Sequence, residues 1–247
     1  MKAETKTVAG RKCRMLLYPD RPVVFCGIPE NDWDDGRIRK QEEAMRDLQT
    51  GVFFFSVGEW NDAFSPWPAK TRAGGFGGGA QETLKWLEQN AVPYVRGFTD
   101  FPLILTGYSL AGLFSLWCMS NTDVFSAYVS CSGSLWYPGW EEYSRSAAAG
   151  TECSVYLSLG DREARTKNPD LCRVEDATLA QSLLLVKDRN VRASVLVPEP
   201  GGHFNEPENR MLRGIRWALA HLSFSGPEDR NAADGNGFPK PGKGPGR

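Results

Sequence analysis

The chain has 247 residues, 41% of them hydrophobic and 24% charged, and a formal net charge of -1. That length and composition suit one α/β domain with a sizeable core. The near-neutral balance, with no run of Lys and Arg, excludes the strong field that a nucleic-acid or acidic-lipid partner would need.

In chain order, Met1 to Thr7 lacks the apolar core of a secretory signal, so a cytoplasmic location is expected, with no membrane partner. Short strands are expected at Cys13 to Tyr18 and Val23 to Cys26, split by the turn Pro19 to Pro22, with Gly27-Ile28-Pro29 ending the second. Arg37 to Leu48 reads as a helix, and Val52 to Val57 (VFFFSV) as a buried strand. The loop "GEWNDAFSPWPAKTRAGGFGGGA" then feeds a helix from about Gln81 to Asn90. The rhythm continues with strand Leu103 to Leu105, helix Leu110 to Ser120, strands Ala127 to Cys131 and Ser154 to Leu159, helix Ala177 to Asp188, strand Ser194 to Val197 and helix Asn209 to Leu222. Apolar, non-alternating strands that alternate with helices predict a mainly parallel sheet covered on both faces. Residues 1–222 are expected to form a single domain. The polar, Gly/Pro-rich stretch 223–247 is expected to be a disordered tail.

Pro102 to Ser120 carries no charged side chain over nineteen positions, a length that would cross a bilayer. The cluster Gly107-Tyr108-Ser109 nevertheless divides it into a strand, a sharp turn and a buried helix. Gly107 to Gly112 (GYSLAG) has the form of a nucleophile elbow, where small neighbours let strand and helix backbones approach while the serine oxygen projects from the apex. The string alone is weak; its strand-turn-helix context gives it weight.

A serine hydroxyl needs a base, expected after the last strand in the chain order serine, acid, histidine. His203, in the loop Glu199 to Phe204 before the final helix, occupies that place. His221, late in the final helix, reads as structural. With two histidines and no Cys-x-x-Cys, no metal site is expected. The six cysteines lie far apart and read as buried thiols rather than a disulfide framework. The acid should follow the strand ending at Gly160, where both Asp161 and Glu163 qualify: Asp161 lies closer to the strand end, but many enzymes with this chain order place the acid three residues beyond the glycine, which favours Glu163. An oxyanion would need two backbone N–H donors, expected from Leu110 and Ile28.

On "RPVVFCGIP", "EWNDAFSPWPA" with "FGGGA", "GYSLAG", "SLGDREARTKNP" and "GGHF", the sequence resembles the α/β-hydrolase superfamily. Within it, the resemblance is to the group that includes esterase D (S-formylglutathione hydrolase), enterochelin esterases and feruloyl esterases, over about Lys12 to Leu222. The resemblance implies an α/β-hydrolase fold, Ser109 as nucleophile, His203 as base, a carboxylate at Glu163 or Asp161, and no metal or organic cofactor. Ala111 stands where the family usually has a second glycine, with Gly112 next.

The expected partner is a small-molecule ester. Trp60 and Trp67, with Phe64 and Phe76, are expected to wall its site, and Trp136, Tyr137 and Trp140 could cap it. Three rivals remain at this level. The first is an acyltransferase or thioesterase on the same serine, and the second a hydrolase-fold protein that binds without turnover. The third is a phosphate cradle in "GGFGGGA", which lacks the Gly-Lys-Ser/Thr of a P-loop.

Overall fold

The computed structural model describes residues 1–72 and 74–222. Ten strands and eight α-helices follow in chain order: β1 Lys2–Val8, β2 Arg11–Leu17, β3 Val23–Pro29, α1 Asp35–Asp47, β4 Gly51–Val57, α2 Trp60–Ala63, β5 Ala69–Thr71, β6 Gly74–Phe76, α3 Ala80–Trp86, α4 Val92–Arg96, β7 Leu103–Tyr108, α5 Leu110–Met119, β8 Ala127–Cys131, α6 Trp140–Ser146, β9 Cys153–Gly160, α7 Val174–Lys187, β10 Val191–Glu199 and α8 Pro207–Ala220. Eight strands form one sheet in the order β1-β2-β4-β3-β7-β8-β9-β10, parallel from β4 to β10, with β1 and β2 antiparallel at one edge.

The central strands are apolar on both faces because both faces are covered. Phe25, Phe53, Phe55, Leu103 and Leu105 point into one layer, under α3, α4, α5 and α7. Val24, Val52, Phe54 and Ile104 point into the other, under α1 and α8. No helix among the described residues is long and apolar enough to cross a membrane. Pro102 to Ser120 contributes instead β7 and α5, a buried strand and a buried helix.

Several elements differ from expectation. β1 was not anticipated, since Lys-Ala-Glu-Thr-Lys-Thr-Val sets charges against small residues; it is an edge strand held by its seven-residue register with β2. β3 runs past Gly27 to Pro29, because that glycine serves packing rather than a turn. A Cβ on Gly27 would come within 2.4 Å of the Phe64 ring. The helix expected at Gln81 to Asn90 continues through a wider π-type turn at Leu87–Ala91 into α4. The glycines of "GGFGGGA" pack the hairpin β5–β6 and the loop after it against α2 and Pro68: a Cβ on Gly77 would lie 2.0 Å from Asp62, and one on Gly78 would lie 2.6 Å from Pro68. Residues 223–247, expected as a tail, lie outside the described residues.

The chain adds β4 on one side of β3 and β7 on the other, so the winding reverses between β3 and β7. In open α/β sheets the crevice at the carboxyl ends of strands beside such a reversal is where ligands bind.

Candidate active site

Ser109 sits between β7 and α5 with φ 58° and ψ -121°, a conformation that L-residues rarely adopt. Its backbone is pinned from both sides, its N–H donating to Cys131 O (3.0 Å) and its carbonyl accepting from Ser134 N–H (3.0 Å). Gly107 is required by this turn, because a Cβ there would lie 2.1 Å from the Ala111 carbonyl oxygen. Gly112 allows α5 to lie against the end of β8, where a Cβ would meet Ser130 Oγ at 2.9 Å. Ala111 is accommodated in the buried first turn of α5.

Glu163 follows β9. Its N–H closes a turn onto Gly160 O (3.1 Å), and its Oε1 accepts from the Gly160 N–H (2.7 Å). His203 follows β10, with Nδ1 2.7 Å from Glu163 Oε2 and Nε2 3.0 Å from Ser109 Oγ. Glu163 thus fixes the proton on Nδ1, leaving the Nε2 lone pair facing the serine. Asp161, the other acid weighed from sequence, lies elsewhere. It accepts from Gly201 N–H (2.8 Å), and its side chain is 57% exposed beside Arg162. The two loops are tied together by that bond and by Asp161 N–H to Glu199 O (2.8 Å).

Behind the acid lies a residue that the sequence reading missed. Arg210, on α8, is fully buried. Its Nη1 donates to Glu163 Oε1 (2.9 Å), Ser132 Oγ (2.9 Å) and Tyr108 Oη (3.1 Å), and its Nη2 to the carbonyls of Pro200 (3.0 Å) and Gly202 (3.1 Å). Ser132, in the left-handed region at φ 48°, donates to Glu163 Oε1 (2.7 Å), and Tyr108 Oη donates to the His203 carbonyl (2.6 Å). Burial acts to raise the Glu163 carboxyl, but the bonds from His203, Ser132 and the Gly160 N–H outweigh it and hold the group below the ordinary range. The signal for Arg210 was periodicity. It shares the buried stripe of α8 with Gly214, Ile215 and Ala218, whereas Arg213 beside it is part-exposed and bound to Glu199.

Ser109 and His203 open onto a cleft of about 490 Å³ lined also by Gly27, Ile28, Trp60, Tyr108, Phe204 and Met211. Arg37, ion-paired with Glu208, and Asp32 supply charge at its rim. Beyond Cys26, β3 loses its β7 partner while staying paired with β4 to Pro29, so one side of Gly27–Pro29 faces the cleft. The Leu110 N–H, first in α5, has no acceptor within the helix. Cys26 lines the same cleft, but burial pushes its thiol up to about 12, so it stays protonated at neutral pH.

Trp60 lines the cleft, stacked edge-on against Phe64. Trp67 does not. Its indole N–H is fixed on Pro138 O (2.8 Å) and its ring packs on Tyr137 and Tyr143. Tyr137 and Trp140 are buried away from the cleft, Trp140 donating to Gln181 Oε1 (3.1 Å). Five cysteines are buried and Cys172 is exposed, all of them free. His221 caps the end of α8, stacked on Trp217.

No sequence-family model and no curated protein sequence matches this chain. Solved structures do. An IroE-like serine hydrolase from Shewanella oneidensis superposes with a TM-score of 0.70 at 17% identity, over 89% of this chain and 80% of the other. The siderophore hydrolase EstA from Aspergillus nidulans gives 0.67 at 16% identity, over 88% and 94%. A ferulic acid esterase gives 0.60 at 11%, over 89% and 97%. The fold is the α/β-hydrolase fold. Its neighbours belong to the esterase group that the sequence resembles, and the serine, carboxylate and histidine described above follow β7, β9 and β10 of that fold.

Proposed function

We propose that the protein is a serine hydrolase that cleaves a small-molecule carboxylic ester through an acyl-enzyme on Ser109. The observation that carries this reading is the unbroken relay from Ser109 Oγ through His203 to Glu163, at 3.0 and 2.7 Å, on a strained elbow that faces a cleft. The names of the structural neighbours, serine hydrolase, siderophore hydrolase and ferulic acid esterase, add support for ester chemistry.

In this mechanism Ser109 Oγ attacks the ester carbonyl as His203 Nε2 takes its proton. Glu163 keeps the imidazole oriented and stabilises the imidazolium that forms. The N–H groups of Leu110 and Ile28 would hold the oxyanion, with the positive end of α5 behind it. The imidazolium then protonates the departing alcohol, and water, activated by the same histidine, releases the acid. Trp60 would form part of the substrate wall. No step calls for a metal or an organic cofactor.

The test is hydrolysis of short-chain p-nitrophenyl esters by the protein and by Ser109→Ala, with both confirmed as folded by circular dichroism. Turnover that disappears in the folded variant, together with fluorophosphonate labelling of Ser109, is the expected result. Absence of both turnover and labelling in the wild-type protein would overturn the assignment.

A further inference from the structure

The segment after β8 passes directly behind the elbow. Ser134 N–H donates to the Ser109 carbonyl (3.0 Å), and the Ser134 carbonyl accepts from Tyr137 N–H (3.0 Å), so its backbone is fixed on both sides. The residue is 3% exposed, and its Oγ lies 3.4 Å from Ser109 Oγ. That hydroxyl has no other hydrogen-bond partner among the described residues. Ser134 does not line the cleft, so whatever it contributes to the reaction passes through the oxygen of Ser109.

The direction of this bond follows from the relay. Glu163 fixes a proton on His203 Nδ1, so Nε2 is an acceptor and takes the one proton of the Ser109 hydroxyl. Toward Ser134 the Ser109 oxygen then offers only lone pairs, and Ser134 is the donor. The opposite direction would turn the Ser109 proton away from its base and leave the Ser134 proton buried without a partner, which is costly.

We infer that Ser134 is a further catalytic residue, a donor to the nucleophile's own oxygen that acts chiefly when the acyl-enzyme breaks down. The inference rests on the reading of Ser109 as nucleophile. In acylation Ser109 Oγ gives its proton to His203 Nε2 and bonds to the acyl carbon, and that proton leaves with the alcohol. The oxygen starts this step as a hydroxyl, a good acceptor, so the bond from Ser134 is largely formed before the step begins. In the acyl-enzyme the same atom is the alkoxy oxygen of an ester, a poor acceptor because its lone pair is delocalised into the carbonyl. Water then adds to that carbonyl and its proton goes to His203. As the C–Oγ bond breaks, the electron pair returns to Oγ, which takes the proton back from His203. Negative charge develops on Oγ as it departs, and a hydrogen bond to a charged acceptor is about twice as strong as a neutral one. Only an interaction that is stronger in the transition state than in the ground state speeds a step, so Ser134 favours deacylation far more than acylation. It keeps its own proton throughout.

Stopped-flow hydrolysis of p-nitrophenyl acetate by the full chain separates the two steps, the burst of p-nitrophenol reporting acylation and the steady rate after it deacylation. Ser134→Ala should leave the burst rate and the fluorophosphonate labelling of Ser109 unchanged within about threefold, and slow deacylation about tenfold, the scale of one such bond. The values of kcat and KM should fall together, leaving kcat/KM unchanged, and mass spectrometry should find acetylated Ser109 accumulating. Ser134→Cys, a weaker donor of similar size, should deacylate at a rate between the two and supplies the test if Ser134→Ala fails to fold by circular dichroism. Deacylation in the folded variants equal to that of the wild type overturns the inference, as does a loss in kcat/KM as large as that in kcat. Absence of both turnover and labelling in the wild-type protein would instead overturn the reading of Ser109 on which it rests.

Discussion

The two halves of the candidate site are built by different physics. On the serine side, everything needed lies within a few residues of Ser109: Gly107 clears the crossing, α5 starts at once, and the backbone is held at φ 58°. On the histidine side, Glu163 and His203 come from loops after two different strands. They are aligned by side chains from farther away, Arg210 from α8, Ser132 from the end of β8 and Tyr108 from β7. The first half stores strain, at roughly 1–3 kcal/mol for a non-glycine residue in such a conformation. The second spreads its energy over buried polar bonds, each worth little net but costly to leave half-made. Substitutions on the two sides should therefore have opposite effects on stability even where both abolish turnover.

Ser109→Gly should break the comparison most sharply. Turnover should fall by about 10⁶, as for loss of a nucleophile acting as a unit with its base. The melting temperature should rise by several degrees, because glycine adopts this backbone without penalty and about 1 kcal/mol moves a domain of this size by about 2–4 °C. A variant no more stable than wild type, measured by calorimetry, would show that the elbow is not strained.

Glu163→Gln stands next in size. The rate should fall by about 10⁴, since an amide in place of the carboxylate would favour the wrong imidazole tautomer. Stability should fall as well, and with a pH signature. The native carboxyl is held below its ordinary range, so its contribution is present above the unfolded value, near 4.3, and is lost as pH falls through the lower native value. Denaturation of the two proteins across pH should show a gap that is constant near neutrality and closes in acid. A gap that widens in acid would reverse the assigned direction.

Arg210→Met keeps the volume and removes the charge. It should destabilise by about 3–5 kcal/mol, the range for breaking a buried ion pair and stranding its partner, and lower turnover with it. Tyr108→Phe separates the network from the charge: it removes the bond donated to the His203 carbonyl and those accepted from Arg210 and Ser132 but leaves the Arg210–Glu163 ion pair in place, and should cost about 1–3 kcal/mol. Equal effects of the two variants in urea titrations would mean that Arg210 carries no special share of the alignment.

This contrast also explains what could be read from the sequence. The elbow was legible because its requirements are local: small residues around a serine, between a strand pattern and a helix pattern. His203 was legible by its position after the last strand. Choosing Glu163 over Asp161 rested on spacing, since both lie in one short loop and their separation depends on where that loop turns. Arg210 was not legible as a site residue because its partners lie up to 102 residues away, and only its place on the buried stripe of α8 separates it from Arg213 and Arg216. Trp67 and Trp60 were indistinguishable in one aromatic loop. The Pro138 carbonyl, from a segment far along the chain, fixes the first away from the cleft. β1 escaped for the same reason in another form, its order arising from pairing with β2 and not from its own pattern.

The smallest effect expected is at Asp161. Its carboxylate anchors the Gly201 N–H at 2.8 Å and so ties the histidine loop to the acid loop. It touches neither His203 nor the cleft, and it is more than half exposed, so water can replace what it gives. The amide oxygen of Asn can accept the same bond. Asp161→Asn should therefore change turnover by less than about tenfold and stability by about 0.5–1.5 kcal/mol, the range for one hydrogen bond. Measured beside Glu163→Gln on the same ester, the two variants separate a carboxylate that aligns the base from one that only braces its loop. A loss at Asp161 as large as that at Glu163 would show that the loop, and not the Glu163 carboxylate alone, sets the position of the imidazole.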